Sequence, residues 1–487
     1  MRIIILCVLV VAGMVIQPPV PRFAPLETES LTATGTFVNA FADYDADGDL
    51  DLFVGFGNAP NRLYRNDGGT FVDVARNAGV ADERPTRAAA WGDFDADGDP
   101  DLLVGFTPAD SSVLRLYRND KGQFVDITTS AGLTIGTGAV RQPCWIDTDG
   151  DGDLDLFIAF RDRANALFEN ERNRFVDVAA SVGLADTRRS VGAVWFDYDE
   201  DGDLDVYVGN MDGDANGLYQ NTGGKFLDVA ERTGLAWAGR APRAAANGTV
   251  RPCVGDVDND GRLDLIAANY GPLGFFLNRG GGRFEDVTSA WGLAIDSRYD
   301  TCALSDFDHD GRVDLYVNGT VTGGVSYRDY LFRNTGTRFD DVTPAVLRDL
   351  HADHGVQWGD IDGDGDEDLS LTGVRTDPVP LLIHNQLPQQ HARRSISVRV
   401  LDARGRATRA GAEVRLFRAG SRHLLATRII DSGSGYDAQS DVPAHIGLAE
   451  IVPADIEVTF PARGRRAVAR MRNVDPRRQR QITVRVP

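Results

Sequence analysis

A nine-residue pattern, D-x-D-x-D-G-x-x-D, occurs seven times in this 487-residue chain. It begins at Asp43, Asp93, Asp147, Asp197, Asp256, Asp306 and Asp360, at intervals of 50, 54, 50, 59, 50 and 54 residues. A period of that length marks a repeat architecture in which each unit is one supersecondary element. The internal order is constant. A short apolar run precedes the acidic loop, as in AVWF before Asp197, and a second follows at once, as in DLFVGF from Asp51. A third run ends in Asn, at Asn66, Asn119, Asn170, Asn221, Asn278, Asn334 and Asn385. Glycine turns such as NDGG then lead to a fourth run, FVDVA from Phe71 or FLDVA from Phe226, which is hairpin chemistry. Four short strands per repeat predict an all-β chain whose main body, residues 20–385, is a seven-bladed β-propeller.

The seventh repeat has no fourth run, since QLPQQHARR follows Asn385 at once or within a residue. The stretch RFAPLETESL from Arg22 matches the register of KFLDVAERTGL from Lys225. Phe23 to Leu26 is therefore expected to supply the missing strand and close the ring, which leaves fewer open strand edges.

The formal net charge is −21, unevenly spread. The seven windows hold 35 acidic residues and two arginines, a charge of −33, and the remainder is at +12. From His391 onward, 19 arginines face nine acids. Such a density of one sign opposes compaction unless counter-ions bind. Calcium takes about six to eight oxygens at roughly 2.3–2.6 Å, and a tight loop with alternate carboxylates supplies them. The expected ligands are positions 1, 3, 5 and 9 of each loop. They are Asp43, Asp45, Asp47 and Asp51, then Asp93, Asp95, Asp97 and Asp101. The third and fourth loops give Asp147, Asp149, Asp151 and Asp155, and Asp197, Asp199, Asp201 and Asp205. The last three give Asp256, Asp258, Asp260 and Asp264, then Asp306, Asp308, Asp310 and Asp314, then Asp360, Asp362, Asp364 and Asp368.

Position 7 varies, so only its backbone carbonyl is expected to coordinate, at Asp49, Asp99, Asp153, Asp203, Arg262, Arg312 and Asp366. An EF-hand is excluded because its twelfth position needs Glu, where this chain has Val54, Val104 or Ile158. About seven structural Ca²⁺ ions are the one cofactor expected.

These loops, each running into an apolar strand, resemble the FG-GAP/VCBS repeats of integrin α-subunit propellers and bacterial surface proteins. The stretches GAEVRLF (411–417), GSGYDAQ (433–439), HIGL (445–448) and VTFP (458–461) resemble the ASPIC/UnbV domain of the cartilage acidic protein (CRTAC/ASPIC) family. That family usually has Trp where Phe460 stands, and its animal members add an EGF-like module. The resemblance implies an extracellular calcium-binding protein. Residues 395–487 themselves alternate like short strands, SISVRVLD to QITVRV, and predict a small β-sandwich joined by a linker over 386–394.

The first residues, MRIIILCVLVVAGMVIQPPVP, join one Arg to a fourteen-residue apolar run with small residues inside it. That is the shape of a signal peptide, 1–19, on a secreted, periplasmic or surface protein, with no membrane span after cleavage. Cys144, Cys253 and Cys302 each lie just before an acidic window. Their odd number at equivalent positions predicts buried free thiols, with Cys253–Cys302 the one pairing to test.

No HExxH, nucleophile elbow or phosphate loop is present, so a binding or adhesion module for a glycan or protein ligand is expected, as a monomer. The alternatives are a polysaccharide lyase or hydrolase using channel residues, or a scaffold of a surface assembly. Nucleic acid is not expected as a partner, because the basic tail has no recognised motif. With the calcium loops on one face, ligand contact belongs to the opposite one, built by the variable links at 236–250 and 320–330. Arg87, Arg141 and His354 each precede a loop by six residues and are expected to form a basic lining for an anionic ligand at the channel mouth.

Overall fold

The computed structural model describes residues 21–26, 29–108, 112–237, 247–322, 325–350, 353–374, 378–461 and 465–486. The signal segment lies outside them, as do parts of the two variable links, 238–246 and 323–324. Each acidic loop joins two adjacent antiparallel strands. In the first repeat these are Thr36–Ala42 and Asp51–Phe56, followed by Arg62–Asn66 and Phe71–Asp73 in one four-stranded sheet. Six more four-stranded units follow in the same order. The first strand of each touches the first strand of the next, and Val356–Gly359 of the last returns to Thr36–Ala42.

The last unit takes its outer strand from the start of the chain. Arg22–Pro25 runs antiparallel to Leu382–Gln386, with Phe23 opposite Asn385. Phe71 stands opposite Asn66 in the same way.

The blades are held side by side by apolar residues. Trp91, Trp145 and Trp195, on three successive first strands, are buried. Each packs a ring against the fourth-strand Phe of its own blade, Phe124, Phe175 or Phe226. Burying side chains of this size contributes about 1.5–3 kcal/mol each.

Residues 395–487 form two sheets. One carries Ala444–Gly447, Ser395–Leu401 and Gln481–Arg485, and the other Leu424–Ile429, Glu413–Arg418, Ala454–Pro461 and Arg466–Val474. Val398, Val414, Ile446, Val458, Phe460 and Ile482 share one core between them. The 386–394 segment is more than a bare linker, because Gln389–Ala392 forms a helical turn with Ala392 buried.

The expectation of free thiols is corrected at one pair. Cys253 and Cys302 are joined in a disulfide, while Cys144 is free and buried. Equivalent positions on neighbouring first strands converge near the ring's centre, here to 6.2 Å between Cα atoms, within bonding reach. Cys144 lies two blades away.

Candidate metal loops and a filled channel

Every acidic loop repeats one hydrogen-bond scheme. The glycine at position 6 adopts φ from 91° to 108°, the left-handed region that glycine enters without a Cβ penalty. Its N–H donates to the first aspartate, as Gly48 does to Asp43 Oδ2 at 3.1 Å and Gly261 to Asp256 Oδ2 at 2.9 Å. The position-7 N–H donates to the fifth residue, as Asp49 does to Asp47 Oδ1 at 2.9 Å. In all seven blades the backbone N–H at the end of the third strand donates to the ninth aspartate, at 2.7–2.9 Å.

That terminal Asn also does something the sequence reading did not assign. The Asn119 side-chain amide donates to Pro100 O in its own loop and to Tyr44 O in the preceding blade's loop. Asn66, Asn170, Asn278 and Asn334 make the same pair of contacts. Its presence at the end of every third run was the available signal. A turn Asn has no need to recur seven times in register, whereas a cross-blade donor does.

The loops draw carboxylates together. Ligand oxygens of Asp43, Asp45 and Asp51 lie within 4.8 Å of one another, as do those of Asp93, Asp95 and Asp101 and of Asp197, Asp199 and Asp205. Asp147, Asp149 and Asp151 form such a group in the third loop, and Asp362, Asp368 and His384 in the seventh. Burial pushes Asp51 up to about 8 and Asp93, Asp197 and Asp256 to about 7. The Oδ1 atoms of Asp45, Asp93, Asp95, Asp197, Asp199, Asp256 and Asp258 are buried and accept no hydrogen bond. Buried polar atoms normally have partners, so this donor set, all hard oxygen, fits a divalent cation such as Ca²⁺. At position 7, Asp366 departs from its equivalents: it is fully buried, and its Oδ2 accepts the Leu387 N–H at 3.1 Å.

The C-terminal sandwich lies over part of the loop face, and its arginines meet the third to sixth loops. Arg409 lies 2.9 Å from Asp147, and Arg466 lies 3.2 Å from Asp197 and 3.0 Å from Glu200. Arg415 donates to Gly261 O at 2.9 Å, and Arg406 to Gly152 O at 3.2 Å. The basic balance after residue 391 is thus complementary to the acidic loops.

From that sandwich, residues 432–441 enter the centre of the ring. Ala438–Gln439 pairs in parallel with Thr86–Gly92, Ala438 against Ala89. Gln439 accepts the Trp145 N–H at 2.6 Å and donates back to Trp145 O at 3.1 Å. Ser440 accepts the Phe41 N–H at 3.0 Å, and Ser432 donates to Trp195 O at 2.5 Å. Gly433 is required by close approach, because a Cβ there would lie 2.5 Å from Ala193 O.

The three residues expected as a basic lining at the channel mouth meet this loop. They do converge, but on Tyr436. Arg87 donates to the Tyr436 hydroxyl at 2.6 Å and lies 3.6 Å from Asp437. The His354 ring stands 4.5 Å from the Tyr436 ring, with Nδ1 3.4 Å from Asp353. Arg141 is half-buried beside them, where desolvation and Arg87 hold its guanidinium below the ordinary range. Asp437 also pairs with Arg251, both fully buried. The lining is filled from within the chain.

Comparison with known proteins bears on this architecture. The FG-GAP-like repeat family matches residues 43–104, 147–208, 197–266 and 256–317. Cartilage acidic protein 1 of Xenopus tropicalis is 27% identical over 475 residues, covering 87% of this chain and 70% of that protein. The Homo sapiens protein of that name is 26% identical over 375 residues, 71% of this chain and 54% of its own length. Among solved structures, an Agrocybe aegerita lectin that recognises non-reducing terminal N-acetylglucosamine aligns with 19% identity and a TM-score of 0.44, over 70% of this chain and 86% of that one. Among the described residues no helix is long and apolar enough to cross a membrane. The matched repeats and the relatives aligned over most of the chain make this a cartilage acidic protein-like FG-GAP protein.

Proposed function

We propose that this chain is a secreted or cell-surface binding module that takes a glycan or protein ligand, with calcium in the acidic loops as a structural staple. The observation that carries the calcium reading is the set of buried loop carboxylate oxygens without a partner, Asp45, Asp93 and Asp95 Oδ1 among them. Asp43, Asp45, Asp47 and Asp51 would hold one ion in the first loop, and their equivalents would do so elsewhere. When bound, the ion neutralises the carboxylates and ties the first strand of each blade to the second.

The ligand surface in this reading is the face away from the loops, supported by the C-terminal sandwich lying over part of the loop face and by residues 432–441 entering the centre. An acidic protein whose relatives carry cartilage in their name fits an extracellular setting. A binding role is favoured over catalysis because Arg251 pairs with Asp437 and Arg87 donates to the Tyr436 hydroxyl, which occupies both groups.

The test is retention on a glycan array and a panel of matrix proteins, in calcium and in EGTA, beside product release from a polysaccharide panel. Calcium-dependent retention without turnover is expected. Turnover of a polysaccharide would replace this reading by an enzyme.

A further inference from the structure

The seven loops share their aspartates but not their surroundings. Among the described residues, no basic side chain lies within 4 Å of the carboxylates of the first two loops. In the sixth loop three of the four ligand positions have one. Arg428 lies 3.5 Å from Asp306, Arg333 lies 2.7 Å from Asp308, and Arg312 lies 2.6 Å from Asp310. The Arg333 contact is a charge pair rather than an aligned hydrogen bond, and both side chains are buried, at 8% and 0% exposure.

One substitution in the neighbouring turn explains why. Arg65, Arg118 and Arg333 hold the same place, one residue before the terminal Asn of the third strand. In the first two blades the residue after that Asn is aspartate. Arg65 therefore folds outward onto Asp67 at 2.7 Å and Arg118 onto Asp120 at 2.8 Å, each 39% exposed. In the sixth blade that residue is Thr335. With no carboxylate at the turn, Arg333 turns inward to the nearest one, Asp308.

The backbone of the sixth loop departs as well. In the other six loops the second residue's N–H donates to the ninth aspartate's Oδ2, at 2.9–3.3 Å. In the sixth, Asp314 Oδ2 is buried and unpartnered. The fourth residue, His309, is buried against the sandwich with Nδ1 2.9 Å from His391 O.

We propose that the sixth loop is closed by arginine instead of calcium. Arg333 is its resident cation, Arg428 and Arg312 complete the neutralisation, and the loop takes no calcium at concentrations that fill the first. A dication entering there would meet three guanidinium groups beside its own ligands. It would also have to expel a buried Arg333 from the one carboxylate within 4 Å of it among the described residues. This rests on the reading of the acidic loops as calcium sites.

The experiment counts calcium ions bound to the full chain by native mass spectrometry after equilibration with CaCl₂. Asp45→Asn is expected to lose one ion and Asp308→Asn none. Thr335→Asp, which offers Arg333 the outward partner its counterparts have, is expected to gain one ion, as is Arg333→Gln. Loss of one ion in Asp308→Asn, or an unchanged count in both Thr335→Asp and Arg333→Gln, overturns the proposal and leaves the calcium reading standing. A wild-type chain that binds no calcium overturns the calcium reading itself, and with it this one.

Discussion

At the scale of single residues, the Asn that ends the third strand couples neighbouring blades through buried carbonyls in six of the seven blades. Replacing Asn119 with Ala leaves Pro100 O, Tyr44 O and the Gly122 N–H without their partner. Each unmet buried group costs about 1–3 kcal/mol, so with its two buried carbonyls stranded Asn119→Ala should lose about 2–6 kcal/mol in urea unfolding. A loss below about 0.5 kcal/mol would mean water replaces the amide. Asp437 is the second such residue. Its partner Arg251 is 1% exposed, and Asp437→Asn would strand that guanidinium in the ring's centre. Breaking a buried pair from one side costs about 3–5 kcal/mol, measured the same way, and a near-neutral variant would contradict the assignment. The loop aspartates and turn glycines could be read directly from the sequence, because a tight acidic turn fixes residue type at fixed local spacing. The partner of Arg251 could not, since 186 residues separate the two.

At the scale of elements, legibility follows the range of the interactions. Strand order, the acidic turns and the match of Phe23 with Asn385 all rest on hairpin pairing or on register repeated along the chain, which leaves a pattern in sequence. Residues 432–441 leave no such repeat, although GSGYDAQ within them is one of the stretches that carry the family resemblance. They make one short parallel pairing with Ala89 and Ala90 and otherwise meet single groups on six different blades. The inward convergence of Arg87, Arg141 and His354 was readable from their common offset, but the Tyr436 that meets them was not. The disulfide was misjudged for a related reason, since equivalent positions look distant along the chain yet meet where first strands crowd together. Cys253 and Cys302 close a span of 49 residues, for which a chain-entropy estimate gives about 4 kcal/mol. The Cys253→Ser/Cys302→Ser double variant should therefore unfold at lower urea than the parent, and an unchanged midpoint would show that the bridge adds nothing.

For the whole molecule, the acidic windows at −33 and the basic remainder at +12 meet across one face, where Arg409 and Arg466 reach the loops. Arginine neutralises some carboxylates and leaves those of the first two loops without a cation, which is where calcium matters most. At ten times its dissociation constant, each filled loop adds about 1.4 kcal/mol by linkage, and several loops together rival the stability of a domain. The direct test is the thermal melt of the full chain in CaCl₂ and in excess EGTA. The account predicts a large fall in Tm on chelation, restored when calcium is returned in excess. An identical melt in both conditions would contradict it.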